Sequence, residues 1–224
     1  MRGLSSVWIR VAIVVTVAAV VTPAASVAEV VYGNLGSSGT DPLSGTNTDF
    51  GPGDPNEFGL AQGFTTGSSA QYLDVTSITL GLFATSSGTL NRTVSIYSNA
   101  TGGPLDVPNA ALFTSSSVAV GNTGTYTFNF SNANLNPSTK YWVVPEGPSS
   151  WYFDNANSQP AGQNGSGYTY AGTRTLNTSS QWVNSTFPSY SVSINAVPEP
   201  ASVGLVALGA AGLGVTALRR MRRG

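Results

Sequence analysis

Thr125-Tyr126-Thr127-Phe128-Asn129-Phe130 is the stretch that decides the fold. Polar and aromatic residues alternate through it, so an extended chain turns its rings to one face and its hydrogen-bonding side chains to the other. An α-helix of the same residues would scatter the rings around its circumference.

Outward from this strand the same theme recurs. Lys140 to Val144, Ala111 to Val120, Leu60 to Thr65 and Glu29 to Tyr32 read as strands. In Thr93 to Tyr97, Val94 and Ile96 share one face. From Leu73 to Phe83, Val75, Ser77, Thr79 and Gly81 alternate against Thr76, Ile78, Leu80 and Leu82. Further short strands are expected at Trp151 to Asp154, Tyr168 to Tyr170, Gln181 to Val183 and Tyr190 to Asn195, with turns at 101–104, 155–167 and 177–180. No window in the middle of the chain carries a convincing 3.6-residue period. The expectation is an all-β protein: a single antiparallel β-sandwich, jelly-roll-like, flanked by an N-terminal signal-peptide helix and a C-terminal transmembrane helix. Residues 29–57 supply the first strand and a Gly/Pro-rich loop, and 58–196 the body of the sandwich.

Both ends differ from this middle. Arg2 and Arg10 precede an apolar stretch from Val11 to Val21, and Ser26-Val27-Ala28 places small residues where a signal peptidase reads them. Residues 1–28 are therefore expected to be a secretory signal peptide cut between Ala28 and Glu29. At the other end, Val197-Pro198-Glu199-Pro200 leads into an uncharged run from Ala201 to Leu218, closed by Arg219, Arg220, Arg222 and Arg223. Eighteen helical residues span about 27 Å, near the ~30 Å of a bilayer's hydrocarbon core, and the arginines mark its cytoplasmic side. Gly and Ala are half of that run, so membrane lipid would hold it weakly.

Charge follows the same division. Between Glu29 and Val197 only Arg92, Lys140 and Arg174 are basic, against nine acids, which leaves −6. A nucleic-acid partner is disfavoured, because polyphosphate affinity rests on clustered Lys and Arg. The chain has no cysteine and no histidine. Disulfides, thiolate metal sites, His-based zinc sites and Ser-His-Asp or Cys-His catalysis are all excluded. A carboxylate pair is the remaining route to hydrolysis, with Glu146 and Asp154 flanking Trp151 as its candidates. No residue stands out as catalytic, no cofactor is expected, and the chain reads as a non-enzyme. Asp41, Asn47, Asp49, Asp54, Asn56 and Glu57 are oxygen donors for calcium, but their spacing follows no known calcium loop and a solvated loop accounts for them. Asn-x-Ser/Thr triplets, among them those at Asn91, Asn99, Asn164, Asn177 and Asn184, are as frequent as this composition yields by chance.

Aromatic residues crowd the C-terminal half: Trp142, Trp151, Tyr152, Tyr168, Tyr170, Trp182 and Tyr190. Flat rings with polar edges suit stacking on sugars, and Trp151, Tyr152 and Trp182 are the candidates for a glycan site. The competing account is that such rings fill the interior of the sandwich.

The tail, taken as motif 198–200, span 201–218 and basic end 219–224, resembles the PEP-CTERM sorting signal, and the resemblance covers residues 197–224. It implies a bacterium with an outer membrane and exopolysaccharide. It also implies an exosortase-type processing enzyme that removes the tail, so that a protein first anchored in the inner membrane reaches the cell surface or extracellular matrix. A second resemblance rests on Gln62-Gly63-Phe64-Thr65-Thr66, Val75-Thr76-Ser77-Ile78-Thr79-Leu80, Val94-Ser95-Ile96-Tyr97-Ser98 and Pro137-Ser138-Thr139-Lys140-Tyr141-Trp142-Val143-Val144. These stretches resemble the choice-of-anchor R domain, an extracellular β-sandwich module that carries no catalytic position. The function expected is that of an exported, C-terminally sorted surface or matrix protein, structural or adhesive in contact with exopolysaccharide. The alternative is a carbohydrate-binding or weakly carbohydrate-active module.

Overall fold

The computed structural model describes residues 26–35, 59–68, 70–83, 89–101, 105–146, 150–151, 160–176, 179–185 and 189–198. The strands are β1 (Glu29–Gly33), β2 (Leu60–Thr65), β3 (Asp74–Phe83), β4 (Leu90–Ala100), β5 (Val107–Thr114), β6 (Val118–Val120), β7 (Gly124–Asn134), β8 (Lys140–Glu146), β9 (Ser150–Trp151), β10 (Ala161–Gly162), β11 (Thr169–Leu176), β12 (Trp182–Asn184) and β13 (Val192–Val197). One 3-10 turn, Ala70–Tyr72, precedes β3.

They form two antiparallel sheets. The first runs β10-β1-β13-β3-β7, with β9 beside the end of β3. The second runs β12-β11-β2-β8-β4-β5, with β6 continuing the β5 side of β4. Within these orders, β1-β13-β3-β7 faces β2-β8-β4-β5, which is the strand order of a jelly roll. β9 to β12 lie in the connection between β8 and β13 and widen both sheets.

Periodicity explains the core. Ile78, Leu80 and Leu82 of β3, Phe128 of β7, Val94 and Ile96 of β4, Tyr141 and Val143 of β8, and Val192, Ile194 and Ala196 of β13 all turn inward and are buried. Each large apolar side chain so buried contributes about 1.5–3 kcal/mol. In β7, Phe128 is fully buried while Thr127 and Asn129 are exposed, as the alternation requires. A bulge in β1 between Val30 and Tyr32 lets two consecutive residues, Val31 and Tyr32, both reach the interior. Tyr32 then packs on Phe64 at 5.8 Å, and Phe64 stacks on Tyr168 at 5.7 Å.

One buried polar residue joins the sheets. Gln62 of β2 points inward, accepts from the Tyr190 backbone N–H at 2.9 Å and donates to the Tyr32 hydroxyl at 3.3 Å. Tyr32 in turn donates to the Gly63 carbonyl at 3.3 Å. Both tyrosines belong to the opposite sheet's β1–β13 region, so the amide fixes how the two layers meet.

Several expected boundaries shift. The segment read as one strand from Ala111 to Val120 is two, β5 and β6, split at Ser115-Ser116-Ser117. The serines bond to both layers while β5 and β6 stay beside β4. The Ser115 N–H donates to the Val94 carbonyl, and the Val94 N–H donates to Ser115 Oγ, both at 2.9 Å. The Ser116 N–H instead donates to Asn129 of the other sheet. The expected turn at 155–167 contains β10, and the strand at Tyr168 to Tyr170 runs on to Leu176. Among the described residues no helix is long and apolar enough to cross a membrane. The expected spans at 11–21 and 201–218, the loop at 41–57 and its calcium donors lie outside the described residues.

Substituting Gln62→Leu should leave the buried Tyr190 N–H without its acceptor and cost about 1–3 kcal/mol, read as a lowered urea midpoint by tryptophan fluorescence. Burial also pushes the phenols of Tyr32, Tyr168 and Tyr190 far up from 10.0. Their neutral forms are favoured by folding, so that stabilisation is complete below about pH 10 and is lost as pH rises beyond it. Absorbance titration should show these three ionising only together with unfolding.

Candidate functional site

Two places concentrate the chemistry. The first is the end of the first sheet where both chain junctions meet. β1 and β13 are antiparallel neighbours, and Glu29 pairs with Ala196 while Val197 pairs with Asp74 of β3. The Ala28–Glu29 bond thus lies opposite Ala196–Val197, one residue from the Val197–Pro198 bond, on strands that in a sheet lie about 4.8 Å apart. Ser26, Val27 and Ala28 are exposed, with Val27 at 77%. Pro198 follows the last ladder residue directly. It has no N–H to extend the ladder and restricts Val197 to extended conformations, so the strand stops at that residue.

The second place is the outer face of the second sheet. In β8 the side chains of Trp142 and Val144 point away from the main core, yet both are buried, in a second cluster with Ala61 against Tyr97 and Trp182. The sheet curls, and its edge strands β12 and β5 approach each other. Gly63 lies under the indole: a Cβ there would stand 2.8 Å from the Trp142 ring and 3.0 Å from the Ala171 carbonyl. Gly172, at φ +97°, allows the bulge in β11 that accompanies this approach.

Polar groups close the arrangement. Lys140 Nζ lies 5.3 Å and Arg174 Cζ 5.1 Å from the Trp142 ring centroid. The indole N–H donates to Asn99 Oδ1 at 2.9 Å. Asp106 gathers the rest: Lys140 Nζ donates to Oδ2 at 2.7 Å, Asn99 Nδ2 to Oδ1 at 3.1 Å, and Arg174 Nε to its backbone carbonyl at 2.8 Å. The hydrogen bond and charge of Lys140, then Asn99, hold the Asp106 carboxyl below its ordinary value. At the far end Tyr97 donates to Glu146 Oε1 at 3.0 Å, and burial followed by that carboxylate pushes the Tyr97 phenol up.

The sequence-derived candidates distribute unevenly. Trp142, Tyr168 and Tyr190, counted among the sugar-stacking rings, are buried at 0%, 3% and 0% exposure and serve the interior instead. Trp182 is half-buried, its ring 3.1 Å from where a Cβ on Gly59 would stand. Trp151 contributes backbone to β9, opposite Leu82. Tyr152, Asp154, Glu199, Pro200 and the four C-terminal arginines lie outside the described residues. Glu146 is bound by Tyr97. Among the described residues no three His, Cys, Asp or Glu side chains converge. The Lys140–Asp106–Arg174 girdle went unnoticed in the sequence, although Lys140 and Trp142 stand two apart in one strand and so share a face.

The comparisons bear on the first place. The model of the PEP-CTERM protein-sorting motif matches residues 196–223. The match begins within the last two residues of β13. No curated protein and no solved structure matches the chain. The motif supports an exported, C-terminally sorted surface protein, with an exosortase-type enzyme as its processing partner.

Asp106 is half exposed, so its pairing is screened and should be worth about 0–1 kcal/mol. Its lowered carboxyl value makes that contribution present at neutral pH. It is lost as pH falls below the ordinary carboxylate value of about 3.9 and through the folded-state value. The expected result is a small deficit for Asp106→Asn in the urea midpoint at neutral pH that disappears in acid.

Proposed function

We propose that this chain is an exported bacterial surface or extracellular-matrix protein whose sandwich has a structural or adhesive role in an exopolysaccharide setting. Residues 1–28 act as a signal peptide removed by signal peptidase between Ala28 and Glu29. The 201–218 span then holds the protein in the inner membrane, with Arg219, Arg220, Arg222 and Arg223 on the cytoplasmic side. An exosortase-type enzyme cuts near Pro198, Glu199 and Pro200 and releases the domain to the surface. The domain itself is of the choice-of-anchor R kind.

The observation that carries this reading is the sorting-motif match, which starts where the last strand ends. Its physical sense lies in the adjoining junctions. Both membrane-directed segments leave the same end of one sheet, so the sandwich would stand on the bilayer by that end. Cutting both leaves the β1–β13 ladder whole.

A carbohydrate-binding role is the second reading. It is favoured by the half-buried Trp182 beside the Trp142 girdle, with Trp151 and Tyr152 as further candidates. Exposed aromatic edges near fixed polar groups suit sugar recognition.

Intact-mass analysis of protein released by the producing cells should give a chain beginning at Glu29 and ending near Pro198–Pro200. A released chain that retains residues 201–224 would refute processing at the motif. A Trp182→Ala variant should be processed normally. If it also loses retention on the cells' own exopolysaccharide, the second reading gains over the purely structural one.

A further inference from the structure

The four sheet edges are not alike. β10 and β12 have two and three residues, and β5 carries Pro108 and register shifts along β4. Short length, proline and bulges are the ordinary means of blunting an edge against pairing. β7 is an edge strand of 11 residues with neither proline nor charge, and among the described residues it pairs with β3 alone.

Its outward groups can be identified. The Ser116 N–H reaches the Asn129 carbonyl from the side away from β3. Asn129 therefore turns its backbone outward, and so do Thr127 and Thr125, two and four residues before it. The Gly81 N–H agrees: this partner of Thr125 turns away from β7 and donates to Ser191. Among the described residues the outward N–H and C=O of Thr125 and Thr127 meet no hydrogen-bonding partner. Beyond Asn129 a register shift opposite β3 and Asn132 at φ 61° end the flat part.

Charge selects the occupant. Residues 107–139, which hold β5, β6 and β7, contain no Asp, Glu, Lys or Arg, whereas residues 29–197 carry −6 overall. Two copies of so acidic a chain repel each other except where carboxylates are missing, and this is the side that lacks them. Of the large exposed apolar residues, Leu112 on β5 and Leu90 at the start of β4 belong to the same flank. We propose that the partner at this edge is a second copy of the chain, its Gly124–Phe128 segment pairing antiparallel with the first about a two-fold axis. Such an interface uses the same strand twice and closes as a dimer. The inference extends the structural role above but fails separately from it, since a monomer would still be cut at both ends.

The chain has no cysteine, so introduced thiols report cleanly. A mixture of full-length Thr125→Cys and Thr127→Cys chains should give a disulfide-linked dimer under mild oxidation, because the two-fold sets Thr125 opposite Thr127 and Cα atoms across paired strands lie about 4.5–5.5 Å apart. Asn184→Cys, exposed on β12, should stay monomeric. Thr127→Lys should shift the sedimenting species from dimer to monomer with an unchanged circular dichroism spectrum. Cross-linking no greater than that of Asn184→Cys, cross-linking only to a different protein, or a Thr127→Lys chain that sediments as wild type would each overturn the proposal.

Discussion

Everything in this sandwich waits on the insertion of β13 between β1 and β3. Val192, Ile194 and Ala196 are fully buried, and the strand bonds to a neighbour on each side. Its entry is fixed twice. Gln62 of the facing sheet takes the Tyr190 N–H. Asn34, just past β1, accepts from the Val192 N–H and donates through its amide to the Tyr190 carbonyl. Without β13 the first sheet would separate into β1 with β10 on one side and β3 with β7 on the other. The pairing of Glu29 with Ala196 also joins distant parts of the chain, and closing so long a loop makes this contact slow to form.

The sorting motif begins in that same strand, and this gives the tail a structural context. A protease that needs an extended substrate meets, just before Pro198, residues already committed to the ladder: Ala196 to Glu29 and Val75, and Val197 to Asp74. The finished sheet therefore sets how far into the chain a cut can reach. The same ladder holds the first residues of β1, Glu29 against Ala196 and Val30 against Asn195.

Much of this fold was legible in the residues. Alternation located β3, β4 and β7, because those strands have one wet face and one dry one. β8 was harder: Tyr141-Trp142-Val143-Val144 is buried on both faces, so the run gives no hint of which residue looks where. The curl of the second sheet decides that, and a curl is set by Gly63, Gly172 and the girdle around Trp142 rather than by local pattern. The serine triplet misled for a related reason. Ser115-Ser116-Ser117 is extended and polar like its surroundings, and only its hydrogen bonds to two different sheets mark it as the break between β5 and β6. Of the sites, the tail was readable because hydrophobic length and terminal charge are properties of sequence. The Asp106 girdle was not, since its members come from β4, β8, β11 and the approach to β5 and meet only in three dimensions.

Native-state hydrogen exchange on the purified chain tests the role of β13 most directly. If this strand completes the sheet, the amides of Val192, Ile194 and Ala196 should exchange only through global unfolding, at the slow rate shared with β3. Exchange of β13 ahead of β3, at the rate of the short edge strands β10 and β12, would make it a peripheral addition and contradict the account.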